Sequence, residues 1–293
     1  MNDRLVAVDW LADRLEETDI VVVDVRDAWE YDGIGHVPGA VSVPFDSFRA
    51  DEPAAGEAGM LPGADAFAQL ADEADIDPSD HVVAYDDTHG VFAARFLVTA
   101  ELYGHDPSRL HLLDGDYSVW SRTQPTTRSA AEPDDVKPDD AEHTSSSPYP
   151  ASFRGGGPLV DREVVSAAID DPEATLVDTR TSEEYATGHL PGAVHLDWRT
   201  LVDTDARTVR PVAELRSILA EREIDPSRRV ILYCNTARRI SHTYVLLRAL
   251  ECADVGFYEG SLTEWRRSGG PVATGANAEE PSSGDTADGQ RPP

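Results

Sequence analysis

Short unbroken runs of apolar residues recur along the chain. Ile20 to Val25 and Thr175 to Asp178 form one pair of runs; Val82 to Tyr85 and Val230 to Tyr233 form another. Continuous β-branched runs of this length suit strands buried on both faces of a parallel sheet, since a strand with one wet face would alternate. Between the runs the apolar period becomes helical. Ala64 to Ala74 and Val212 to Glu223 read as helices, with Leu215, Ile218 and Leu219 on one stripe of the second. Ile76-Asp77-Pro78 and Ile224-Asp225-Pro226 predict their ends, because proline cannot continue a helix. Phe92 to Tyr103 and Ile240 to Leu250 read as helices that follow the central strands. Strand–helix alternation predicts an α/β fold built on mainly parallel sheets with helices on both faces.

The pattern occurs twice. Asp24-Val25-Arg26 returns as Asp178-Thr179-Arg180, and Glu30-Tyr31 as Glu184-Tyr185. Gly35-His36-Val37-Pro38-Gly39-Ala40-Val41 returns as Gly188-His189-Leu190-Pro191-Gly192-Ala193-Val194. Leu113-Asp114-Gly115 with Trp120 returns as Tyr258-Glu259-Gly260 with Trp265. Landmarks repeated once, in one order, predict a duplicated domain rather than a solenoid. The expected division is a first domain over 1–124, a linker over 125–157, a second domain over 158–275 and a polar tail over 276–293. Linker and tail are rich in proline, glycine, serine and acid, a composition poor in groups that bury.

Charge narrows the partners. Asp plus Glu number 55 against 25 Lys plus Arg, a formal net charge of −30 over 293 residues. Such a chain repels phosphate backbones and anionic headgroups, so neither nucleic acid nor membrane is an expected partner. Lys137 stands alone against 24 arginines. Acidic excess almost without lysine suits concentrated salt, where screening relieves self-repulsion, so a halophilic source is expected. No apolar run approaches a membrane span, and Met1-Asn2-Asp3-Arg4 does not open a signal peptide. Two cysteines, Cys234 and Cys252, allow one bridge at most, and the expected compartment is reducing cytoplasm.

Cys234 carries the chemistry. It stands where the Val230–Tyr233 run ends, followed by Asn235-Thr236-Ala237-Arg238-Arg239 and then a helix. A loop entering a helix N-terminus offers free backbone N–H groups and partial positive charge, and two arginines add full charge. All three favour thiolate, so a depressed pKa and a nucleophilic sulfur are expected, in a cradle that also suits a small oxyanion. The first copy has Asp86 at the aligned position, which cannot carry sulfur and would repel an anion. Bond-making chemistry is therefore expected in the second copy alone.

With Asp-x-Arg, the doubled Gly-His-x-Pro-Gly-Ala, the cysteine loop and Gly-x4-Trp, the chain resembles the tandem-domain rhodanese family of sulfurtransferases. The resemblance implies two rhodanese-like domains and a persulfide on Cys234, loaded by a small anionic sulfur donor. A thiol, cyanide or a protein acceptor would unload it, with no cofactor. Arg239 makes the loop Cys-x4-Arg, one residue short of the Cys-x5-Arg of cysteine phosphatases, and this ranks phosphatase low. Thiosulfate is favoured over 3-mercaptopyruvate as donor. The arginine-bearing insertion of the mercaptopyruvate enzymes is missing before Gly188-His189, and Gly59 rather than His precedes Met60-Leu61-Pro62-Gly63. A persulfide carrier serving a protein partner is the reading from a different class.

The expected donor-binding set is Arg238, Arg239, Arg180, Asn235 and Thr236. Arg180 also lies four residues from Glu184, and Arg26 and Glu30 repeat that spacing in the copy without cysteine, which argues for a structural ion pair. His36 and His189 precede Pro-Gly turns and are expected to stabilise them. No Cys/His spacing fits a metal. Trp120, Trp265 and Cys252 are expected in the core.

Overall fold

The computed structural model describes residues 3–50, 60–128, 148–154, 157–235 and 237–275. The first domain runs β1 (Leu5–Ala7), α1 (Val8–Ala12), β2 (Ile20–Asp24), α2 (Ala28–Gly33), β3 (Val41–Ser42), α3 (Ala64–Glu73), β4 (His81–Tyr85), α4 (Val91–Leu102), β5 (Leu110–Asp114) and α5 (Asp116–Thr123). The second runs β6 (Leu159–Val160), α6 (Arg162–Ala168), β7 (Ala174–Asp178), α7 (Ser182–Thr187), β8 (Val194–His195), a hairpin β9 (Val202–Asp203) and β10 (Thr208–Val209), then α8 (Val212–Glu221), β11 (Arg229–Tyr233), α9 (Arg238–Ala249), β12 (Asp254–Tyr258) and α10 (Ser261–Arg267).

Both five-stranded sheets are parallel throughout, ordered β1-β5-β4-β2-β3 and β6-β12-β11-β7-β8. Equivalent pairs share a register: Tyr85 opposes Asp24 as Tyr233 opposes Asp178. Alternate strand residues serve opposite faces. Val22, Val83 and Leu113 pack with Leu11 and Trp120, whereas Val23, Ala84 and Leu112 pack with Phe67 and Phe96. That two-sided burial explains the unbroken apolar runs.

The α3/α4 face of one domain and the α8/α9 face of the other merge into one core. Helices α4 and α9 pack together, and the cluster holding Phe96 also holds Val245 and Leu246. Polar ties cross the same interface. Arg95 forms a two-pronged ion pair with Glu259, and the Tyr244 hydroxyl donates to Glu101 at 2.8 Å.

Three expectations are refined. Helices α3 and α8 end before the prolines, at Glu73 and Glu221. Asp75 (φ 51°) and Glu223 (φ 56°) then turn left-handed, and the Ile76 and Ile224 amides reach back to Ala71 and Leu219 carbonyls at 2.9 Å. Helix α9 begins at Arg238 rather than Ile240, because Ala237 (φ 63°) turns the chain into it as Gly90 does for α4. Finally, within the 125–157 segment Thr127, Tyr149, Ser152 and Arg154 are bonded to the first domain. Thr127 and His36 exchange backbone hydrogen bonds, and Tyr149 is buried, hydrogen-bonded to His105 Nδ1 at 2.8 Å. A segment too polar for a core of its own can still dock one aromatic ring on its neighbour. The 276–293 tail lies outside the described residues.

Candidate active site

Cys234 follows the last residue of β11 and is 1 % exposed. Its backbone is held on both sides by the turn that starts α10. The Cys234 N–H donates to Ser261 Oγ at 3.2 Å, and the Leu262 N–H donates to the Cys234 carbonyl at 3.0 Å. Ser261 is itself buried, with φ 52°, and its hydroxyl donates to the Tyr258 carbonyl at 2.8 Å. Beyond the cysteine, α9 presents a first turn whose N–H groups lack partners in the helix.

The first domain shows what such a turn holds. Asp86 follows β4 as Cys234 follows β11, and its carboxylate is fully buried in backbone N–H groups. One oxygen accepts from Thr88 and Gly90, both at 2.7 Å; the other accepts from Phe92 at 2.7 Å and Ala93 at 3.1 Å. Burial raises this carboxyl and the N–H groups oppose the rise, leaving it near 6. The expectation of a carboxylate that merely repels anions is thereby sharpened: Asp86 is the bound anion of its own loop. Counting from the left-handed residues Gly90 and Ala237, the α9 positions matching Phe92 and Ala93 are Arg239 and Ile240.

The loop's side chains are tied to α7. Glu184 accepts from Asn235 Nδ2 at 2.7 Å, pairs with Arg239, and completes a capping box with Thr181. Burial works to raise this carboxyl, but Arg239 and Thr181 outweigh it and hold it down near 2. Arg239 is thus charge-paired within the protein. Arg238 is exposed, its guanidinium 5.8 Å from the Phe45 ring centroid and 5.9 Å from that of Phe92, both in the first domain. Thr236 lies outside the described residues.

Arg180 does not pair with Glu184. It is buried in a forked pair with Asp178, donates to the Gly188 carbonyl at 2.7 Å, and reaches Asn235 Oδ1 at 3.3 Å. Two residues apart at a strand end, Asp and Arg meet more directly than across a helical turn. Arg26 repeats the fork with Asp24 and the contact to Gly35 in the domain without cysteine. His189 stacks on Tyr185, ring centroids 3.7 Å apart, as His36 stacks on Tyr31. Trp120 and Trp265 are buried, each bonding a carbonyl of the chain that leaves its helix. Cys252 is buried, and burial pushes its thiol up to about 11. Among the described residues no His, Cys, Asp and Glu group is arranged to hold a metal ion, and no helix is long and apolar enough to cross a membrane.

Sequence reasoning missed two contributors. Glu184 entered only as a partner for Arg180, because its contact with Asn235 joins elements far apart in the chain. Ser261 carried one usable signal, its position after the repeated glycine, where Asp116 (φ 46°) sits in the first copy.

Comparison with known proteins completes the picture. The model of the rhodanese-like domain matches residues 7–123 and again 161–268. A thiosulfate sulfurtransferase of Pseudomonas aeruginosa is 30% identical over 264 residues, covering 87% of this chain and 91% of the relative. One from Corynebacterium glutamicum is 31% identical, covering 94% and 92%. Among solved structures, the 3-mercaptopyruvate sulfotransferase SseA of Escherichia coli superposes with a TM-score of 0.72 at 22% identity, over 89% of this chain and 99% of that one. That likeness concerns the fold. With the domain model matched twice and relatives aligned along nearly their whole length, the chain belongs to the rhodanese family of sulfurtransferases.

Proposed function

We propose that this sulfurtransferase moves sulfane sulfur from thiosulfate to a thiophilic acceptor through a persulfide on Cys234. The thiolate attacks the outer sulfur of thiosulfate, the S–S bond breaks, and sulfite leaves with the electron pair. Cyanide or a thiolate then takes the outer sulfur and returns the thiolate.

The observation that carries the reading is the Asp86 carboxylate. Its oxygens stand two bonds from Cβ and meet four backbone N–H groups. The outer sulfur of a cysteine persulfide also stands two bonds from Cβ, so the equivalent turn at Cys234 suits a loaded, anionic cysteine. Burial of Cys234 favours a small donor and keeps water from the persulfide. The names of the relatives in Pseudomonas aeruginosa and Corynebacterium glutamicum support thiosulfate as that donor. Arg238, Asn235 and Thr236 are our candidates for meeting the donor. Arg239 and Arg180, paired with carboxylates, act by shaping the loop.

Steady-state rates with cyanide as acceptor test the reading. We expect a higher kcat/KM for thiosulfate than for 3-mercaptopyruvate. The reverse order makes the protein a mercaptopyruvate enzyme. Turnover with neither, while Cys234 still takes sulfur from a protein, makes it a carrier.

We also place the protein in a salt-rich cytoplasm, on the net charge of −30 and two unbridged buried cysteines. At low salt the Debye length is about 30 Å and the whole acidic surface repels both itself and the donor; at 1 M it is about 3 Å. Melting temperature and kcat/KM for thiosulfate are therefore expected to rise from low salt and then level off. Activity that falls steadily with added salt, in a protein that stays folded by circular dichroism, overturns this placement.

A further inference from the structure

We propose that Arg95, in the first domain, is a positioning residue for Cys234 in the second. The proposal rests on the reading of Cys234 as the sulfur-carrying nucleophile.

Both polar backbone atoms of Cys234 are bound by Ser261 and Leu262, so the turn from Tyr258 to Leu262 sets where the cysteine stands. Within that turn only Glu259 carries a charge, and its side chain leaves its own domain. Glu259 Oε2 accepts from Arg95 Nη1 at 2.8 Å, and Oε1 from Arg95 Nη2 at 2.6 Å. The two side chains are 5% and 1% exposed. The Met60 N–H, also from the first domain, donates to Glu259 Oε1 at 3.4 Å. A buried fork of this kind fixes direction as well as distance. It pins the turn two residues before Ser261, whose left-handed backbone gives the turn little freedom to re-form elsewhere.

The duplicated half is braced by different residues. Counting from the helix starts, the position of Arg95 is occupied in α9 by His242, which forms no ion pair, and the position of Glu259 is occupied by Asp114. Asp114 takes the N–H of Val209 of the second domain at 2.7 Å, and Arg207, also of the second domain, forks onto Asp116 at the position of Ser261. Both turns are thus braced across the domain interface, and behind the turn that carries a cysteine the brace is the buried Arg95–Glu259 fork. It gives the first domain, which has no nucleophile, a part in the chemistry: its helix α4 holds the floor of the other domain's cysteine loop.

Arg95→Lys, Arg95→Met, Glu259→Gln and the reversed pair Arg95→Glu/Glu259→Arg test this in the full chain. The readouts are kcat and KM for thiosulfate, melting temperature, and the pH profile of Cys234 alkylation by iodoacetamide. Small misplacement of a reacting group costs about tenfold or more in rate. We expect Arg95→Met and Glu259→Gln to lower kcat by at least about tenfold with KM nearly unchanged, and to move the alkylation midpoint upward. Arg95→Lys, which keeps one charged hydrogen bond, should recover much of the rate, and the reversed pair part of it. If Arg95→Met does not fold, Glu259→Gln and Arg95→Lys decide. A lower melting temperature with unchanged kcat and alkylation profile in folded variants overturns the proposal and leaves a stability role. Persulfide formation that survives in Cys234→Ser instead overturns the underlying assignment of the nucleophile.

Discussion

Cys234→Ser is expected to reduce sulfur transfer to background while the fold survives. The exchange is nearly isosteric at a site that is 1 % exposed, and the backbone bonds to Ser261 and Leu262 do not involve the thiol. A serine hydroxyl at neutral pH is not a nucleophile toward sulfur and cannot hold an S–S bond. After incubation with thiosulfate, intact-protein mass spectrometry should find one added sulfur on the parent protein and none on the variant, with matching circular dichroism. Cys252 is a poor substitute. It is buried, and desolvation pushes its thiol up to about 11 against the opposing pull of Arg248, so almost no thiolate exists at neutral pH. Sulfur found by peptide mapping on Cys252 in the variant, at parental yield, would sink the assignment.

The second large effect lies in the domain without a cysteine. Asp86→Ala removes the acceptor of four buried N–H groups at once. Each buried donor left unpaired costs about 1–3 kcal/mol, partly offset because a buried charge is also removed. A net loss of roughly 2–5 kcal/mol at pH 7 is expected, read as a lower midpoint in urea. The vacated turn should then accept a free anion. Sulfate or thiosulfate is expected to raise the melting temperature of the variant more than that of the parent, by linkage to binding in the folded state. The pH trend has a definite sign. The folded carboxyl sits near 6, above its ordinary value of about 3.9, so its contribution is complete only below that ordinary value and declines as pH rises through 6. The stability gap between parent and variant should therefore be wider at pH 4 than at pH 7. An equal gap at both pH values would show that burial does not raise this carboxyl, and no selective response to anions would show that the carboxylate does not fill the turn as an anion.

The site was unevenly legible. Cys234 could be singled out because strand end, small residues, two arginines and a helix start are adjacent in the chain, and adjacency is what local pattern reports. Asp86 could be aligned with it because the repeat supplies a second copy of the same strand. Glu184 could not be placed, since its bonds to Asn235 and Arg239 cross from α7 to the loop after β11. For the same reason the arginines read as free charge divide in the structure. Arg239 is neutralised by Glu184, and Arg238 lies against two phenylalanines of the other domain. Arg180 shows the limit of spacing rules: four residues from Glu184 suggested a helical pair, but the residue lies before the helix, where the nearer Asp178 wins.

By itself the sequence determined the duplication, the parallel sheets and the cysteine. These follow from apolar runs, repeated turn motifs and residue chemistry, all of which act over short stretches of chain. Tertiary structure decided how the two halves meet. Joining α4 to α9 buries a common core and brings Arg95 within 2.6 Å of Glu259, residues 164 positions apart. A contact of that kind depends on relative placement of whole domains, which is set by the summed packing of many apolar side chains and leaves no periodic mark at either residue.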